Sequence, residues 1–195
     1  GMRRPENFRR AGLLDDAISA DELPAVGGHA AVLAGSCSQA TLAQVATMRA
    51  ERPAFRIEPQ ALAEGRDQAQ EALAWATPLL ADGPPLIYAT ATPAEVQAAQ
   101  SALGRERAGA LIEACMARIA RGLVERGVRR LVVAGGETSG AVVQGLGIKA
   151  IRIGPQIDPG VPWTLSTGEP AVALALKSGN FGRPDFFLRA LSQLP

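Results

Sequence analysis

The sequence predicts an α/β fold: a three-layer αβα domain around a mostly parallel sheet, with ligand loops at the carboxyl edge of its strands. Three observations predict it. Short, continuously apolar runs recur along the 195 residues and alternate with segments of helical period, as strands buried on both faces do. Glycine-rich turns follow three of those runs, and the carboxyl edge of an open α/β sheet is where ligands bind. The third is a near-repeat. VLAGSCSQATLAQ at 32–44 aligns with VVAGGETSGAVVQ at 132–144, with Ala34/Ala134, Gly35/Gly135 and Gln44/Gln144 in step.

Residues 1–28 have weak periodicity and read as a linker; residues 29–195 read as one ligand-binding domain. HAAVLAG at 29–35 is the first strand, and Ser38 caps a helix to about Glu51 with Leu42, Val45 and Met48 at helical spacing. AFRIE at 54–58 alternates as a strand, and 60–81 reads as one helix, bent or ended near Pro78. PLIYATA at 85–91 is a strand, and Pro93 opens a short helix. Residues 105–126 form the longest helix, with Leu111, Ile112, Cys115, Met116, Ile119 and Leu123 on one stripe. A strand at 130–134 leads into a helix reaching Leu146, and KAIRIG at 149–154 is a strand. IDPGVPW at 157–163 reads as a proline-broken loop; WTLST and AVALALK supply further strands. Pro184 starts a last helix carrying Phe186, Phe187 and Leu191.

Composition excludes several function classes. With 20 basic and 19 acidic residues the formal charge is +1, against the basic excess that nucleic-acid binding needs; Arg3, Arg4, Arg9 and Arg10 read as a solvated tail. No apolar run approaches the roughly 20 residues of a membrane span, and the basic start GMRRPENFRR lacks the apolar stretch of a secretory signal. Two cysteines are too few for a disulfide framework, so the expected location is cytoplasmic. One histidine excludes histidine-rich zinc sites, and no metal-binding side chains are assigned.

Three loops at 35–38, 135–140 and 178–182 carry the candidate chemistry. A strand, glycines and a helix start make an anion site, because the first helical N–H groups lack partners and the dipole favours negative charge. Gly135 and Gly136 permit torsions and close approach that a side chain would block, while Thr138 and Ser139 either cap the helix or donate to phosphate oxygens. The segment matches neither G-x-G-x-x-G nor the P-loop, so a plain tight turn is the competing reading. Glu137 would repel a bare phosphate, a conflict that a nucleotide with magnesium removes. In KSGNFG at 177–182, Lys177 is one of only two lysines and offers a compact charge to a phosphate. Gly179 offers its backbone, and Phe181 either stacks on a base or plugs the core. Cys37 in GSCS invites a thiol-nucleophile reading, but the only histidine, His29, lies at the far end of the same short strand.

The stretches GSCSQATLAQ, AGGETSGAVVQGLGI, IGPQIDPGVPW and ALKSGNFGRPDFF together resemble the C-terminal nucleotide-binding domain of the four-carbon acid sugar kinases, in that family's order and spacing. The resemblance implies transfer of the γ-phosphoryl group of ATP, with magnesium, to the terminal hydroxyl of 3-oxo-tetronate, threonate or erythronate. It implies nucleotide contacts at Ser36, Gly136, Glu137, Thr138, Ser139 and Gly179, beside Gly135, Lys177 and Asn180 from the loops themselves. It also implies a partner, an N-terminal sugar-acid-binding domain outside these residues; homo-oligomerisation is left open. No catalytic residue is assigned, Asp158 being the nearest acid and a structural one by expectation. The competing reading is a non-catalytic module that binds a nucleotide or phosphorylated ligand.

Overall fold

The computed structural model describes residues 22–193. Residues 1–21, most of the expected linker and its arginine cluster, and residues 194–195 lie outside them. The elements run β1 (His29–Ala34), α1 (Gln39–Arg49), β2 (Ala54–Arg56), α2 (Pro59–Ala63), α3 (Gln68–Ala76), β3 (Leu86–Tyr88), α4 (Pro93–Leu103) and α5 (Arg105–Glu125). They continue with β4 (Val128–Ala134), α6 (Gly136–Gly145), β5 (Ile151–Asp158), β6 (Val161–Ser166), β7 (Ala173–Lys177) and α7 (Phe186–Ser192).

The seven strands form one sheet in the order β2-β3-β1-β4-β7-β6-β5. β2, β3, β1, β4 and β7 are parallel; β6 runs antiparallel to β7, and β5 antiparallel to β6. The sheet is therefore mostly parallel, as expected. Alternate strand residues feed two cores. Ala31, Leu33, Leu131 and Val133 pack with Leu73, Met116, Ile119 and Val142 of α3, α5 and α6. Val32, Ala34, Val132 and Ala134 pack with Val45, Met48, Phe186 and Phe187 of α1 and α7. These are the three layers, and the continuously apolar strands follow from burial on both faces. Cys115 lies in the first core, where burial pushes its thiol up to about 11.

Three local expectations change. The single helix expected over 60–81 is two helices and a 3-10 turn (Thr77–Leu79). Gly65 takes φ +86, and Asp67 caps α3 by accepting the Gln70 amide at 3.1 Å, so turn chemistry outweighs the apolar periodicity. The loop expected at 157–163 is instead the end of β5, a tight turn at Pro159 and Gly160, and the start of β6. Pro159 followed by Gly160 at φ +78 is two-residue turn chemistry, and Pro155 is tolerated because β5 is an edge strand. The strand expected at 85–91 shortens to Leu86–Tyr88.

The near-repeat has a spatial meaning. β1 and β4 are neighbours, paired Ala30↔Arg130 through Ala34↔Ala134 at a constant offset. Their helices then leave to opposite faces, α1 to one core and α6 to the other. A crevice opens where adjacent strands send their chains apart, and this is the ligand position of open α/β sheets.

Candidate nucleotide-binding site

The three glycine loops do meet at the carboxyl edge, around that crevice. Amides of Gly35 and Ser36 donate to the Ala134 carbonyl at 2.9 and 3.3 Å, and the Gly135 amide donates to the Lys177 carbonyl at 2.9 Å. These bonds knit β1, β4 and β7 together beyond their last residues, and they occupy amides that the sequence offered to a ligand. Gly135, expected as a binding residue, lines the cleft but gives its amide to the sheet edge, and its φ of +123 turns the chain into α6. Gly136 has no such strain. It begins α6, and a Cβ built on it would meet nothing within 4 Å.

The two helix starts differ. α1 is capped, Ser38 Oγ accepting the Thr41 amide at 3.2 Å, and Ser36 Oγ accepts the Ser38 amide at 3.2 Å. α6 has no side-chain cap, and its first internal bond runs from the Ser139 amide to the Gly135 carbonyl at 2.8 Å. The amides of Gly136, Glu137 and Thr138 form the uncapped first turn of α6, and these three residues line one cleft with Ser36. Thr138 is buried, its hydroxyl against the Gly35 α-carbon. Ser139 neither caps α6 nor lines the cleft; its buried hydroxyl has no partner among the described residues.

The third loop is clamped from below by one face of α1. Gly179 abuts Ser36, and its carbonyl accepts from Ser38 Oγ, from Thr41 Oγ1 at 3.0 Å and from Lys177 Nζ at 3.0 Å. Lys177 also donates to Thr41 Oγ1 and the Ser178 carbonyl, both at 3.1 Å. Its ammonium is therefore turned inward, 1% exposed, with three oxygen partners rather than an outward phosphate-facing pose, and burial pushes it down to about 8. Gln44 Nε2 donates to the carbonyls of Phe181, Gly182 and Arg183 at 3.0–3.1 Å. Asn180 is exposed. Asp158 accepts from the Arg183 amide at 3.2 Å and Arg189 at 3.3 Å, a structural engagement.

The cleft has a volume of about 1340 Å³ and extends from the first two loops across α4 and α5. Its far wall carries Arg56, Glu58, Glu95, Glu106 and Glu113, residues the sequence reading did not single out. Arg56 pairs with Glu95 at 2.7 Å and Glu58 at 3.1 Å. The Thr92 amide, Arg56 and the Thr92 hydroxyl together hold Glu95 down to about 2, as part of the capping box that starts α4. Arg56 comes from the end of β2, Glu58 from just before α2, Glu95 from α4, and Glu106 and Glu113 from α5, so no single local spacing announces the wall. The α1 clamp did leave a trace: Ser38, Thr41 and Gln44 recur every third residue on the inward side of a helix.

The thiol reading gains no histidine beside it among the described residues. Cys37 lines the cleft and its sulfur accepts the Ala91 amide at 3.4 Å, while His29 sits at the opposite edge of the sheet. Among the described residues no group of three or more His, Cys, Asp or Glu is arranged to hold a metal ion, and no helix is long and apolar enough to cross a membrane.

The chain is 60% identical over 191 residues to the 3-oxo-tetronate kinase of Pseudomonas fluorescens and 59% identical over 192 residues to that of Cupriavidus necator. The match takes in 97% of this chain but 44% of each kinase. A crystal structure of the Haemophilus influenzae protein HI1011 superposes with a TM-score of 0.84 at 36% identity, over 96% of this chain and 45% of that one. The family described as the nucleotide-binding C-terminal domain matches residues 31–187, a span that starts in β1, ends in α7 and contains all three loops. The chain belongs to the family of nucleotide-binding C-terminal domains.

Proposed function

We propose that this chain is the ATP-binding half of a kinase that phosphorylates the terminal hydroxyl of a four-carbon sugar acid of the 3-oxo-tetronate type. The observation that carries the reading is the uncapped start of α6 facing the crevice between β1 and β4, with open space over Gly136. The likeness to two 3-oxo-tetronate kinases supplies the acceptor class. Amides of Gly136, Glu137 and Thr138 hold phosphate oxygens, helped by Ser36 and the Thr138 hydroxyl. Gly179 brings the third loop against Ser36. Lys177 and Gly135 act from beneath by positioning, while Ser139 and Asn180 stay at the margin of the site. ATP supplies the phosphoryl group, and this half of the enzyme binds and orients it. Magnesium enters with the phosphates of the bound nucleotide. The acceptor site belongs to a preceding domain, residues 1–28 being its connection to residues 29–195. The protein acts in the cytoplasm, without a nucleic-acid partner.

Two measurements test this. Binding by the chain alone is weak, because a site divided between domains loses preorganisation. ADP or ATP at ten times its dissociation constant adds about 1.4 kcal/mol, raising Tm by roughly 3–6 °C for a chain of this size; no shift with either would overturn the reading. In a coupled ADP-release assay the chain alone turns over no sugar acid. Transfer requires the acceptor hydroxyl within about 3–3.5 Å of the γ-phosphorus, and it returns when the preceding domain is supplied. Acceptor-dependent turnover by the chain alone would place the sugar site within these residues instead.

A further inference from the structure

Three large apolar side chains are exposed among the described residues: Ile151, Ile153 and Phe181. The isoleucines open β5, whose start lies at the amino edge of the parallel strands, far from the loops. Phe181 lies in the third loop itself, 47% exposed, and so does not plug the core beneath it.

Its backbone is held on every side. The Phe181 amide donates to the Ser178 carbonyl at 3.2 Å, and Gln44 donates to the carbonyls of Phe181 and of the two residues after it. Lys177 ties down the two carbonyls at the start of the loop. The ring edge rests on Gly160 of the β5–β6 turn, where an added Cβ would stand 3.0 Å from Cε1. The fold thus fixes a phenylalanine in position while leaving half of it in water, at the expense of the stabilisation its burial would bring. It sits two residues from Gly179, which abuts Ser36, a residue of the cleft lining.

We infer that Phe181 is the surface on which the base of the bound nucleotide stacks. The inference rests on the nucleotide reading above and gives that site a direction. The base lies on Phe181, the ribose passes Gly179, and the phosphates reach Ser36 and the start of α6. This course keeps the phosphates away from the cleft wall of Glu58, Glu95, Glu106 and Glu113, where like charges would repel them. A fixed aromatic ring suits any base, because every base presents a π face.

The experiment titrates ADP and inorganic pyrophosphate separately into the wild-type chain, Phe181→Ala and Phe181→Trp, by calorimetry. The expected result is an ADP dissociation constant about tenfold higher or more in Phe181→Ala, recovery in Phe181→Trp, and pyrophosphate affinity equal in all three. Unchanged ADP affinity in Phe181→Ala overturns the inference and leaves the nucleotide reading standing. An equal loss of both ligands also overturns it, because it reports a collapsed loop. If the wild-type chain binds neither ligand, the nucleotide reading falls, and this inference with it.

Discussion

Gly136→Val leaves the chain folded and raises the dissociation constant for ADP on the order of a hundredfold, about 2.7 kcal/mol. Folding is spared because a Cβ at Gly136 meets no atom within 4 Å and the residue has ordinary helical torsions. Binding is lost because that empty space lies over the uncapped amides of Gly136, Glu137 and Thr138, where the branched side chain would stand in place of a phosphate. The neighbouring glycine is the control. Gly135 has φ +123, and a Cβ there would stand 3.1 Å from the Ser36 amide nitrogen, so Gly135→Ala lowers stability itself. Thermal melting and ADP calorimetry on both variants separate the two effects. A folded Gly136→Val protein with wild-type affinity would reduce this loop to a turn.

The second large effect is on stability against pH. Lys177 has a folded-state pKa pushed down by burial to about 8 from an ordinary 10.5. Between those values the unfolded chain holds the proton and the folded chain has released it, so stability rises with pH across that window. Below pH 8 the buried ammonium is charged in both states and its desolvation cost is fully present. From pH 7 to pH 10 the relief amounts to about 2–3 kcal/mol. Cys115 acts the other way, since burial raises its thiol to about 11 from 9.0 and the folded state holds that proton longer. Urea unfolding of wild type and Lys177→Met at pH 7 and pH 10 isolates the lysine. The wild type gains on the variant by that amount, and Cys115 cancels. Lys177→Met still folds, because Ser38 and Thr41 go on donating to the Gly179 carbonyl and Ser178 is exposed to water. Parallel pH profiles for the two proteins would show that the ammonium carries no desolvation cost.

Much of the architecture was legible in the sequence because it is written locally. Apolar runs bounded by glycines became β1, β4 and β7, and the stripe from Cys115 to Leu123 became the buried side of α5. Where local rules competed, the reading slipped. Gly65 and Asp67 divided an apolar segment that a period of 3.6 joins, and Pro159–Gly160 made a tight hairpin where prolines suggested a loose loop. Of the candidate site, Ser36 and residues 135–138 line one cleft. Lys177 turned inward because the oxygens of Ser178, Gly179 and Thr41, on two segments far apart in sequence, converge beneath it.

By itself the sequence determined most strand and helix segments and the position of each glycine turn after a strand, since each depends on residues within a few turns of one another, and it carried the resemblance to one family in four stretches along the chain. Only the tertiary structure decided which strands are neighbours. Pairing β1 with β4 assigned the Gly35 and Ser36 amides to the Ala134 carbonyl and left those of Gly136 to Thr138 at the crevice. It also brought Arg56, Glu95 and Glu113 to one wall and left Phe181 half in water. The reason is range. A period or a cap is satisfied within one segment, whereas the partner of an amide at a sheet edge is set by a strand about a hundred residues away.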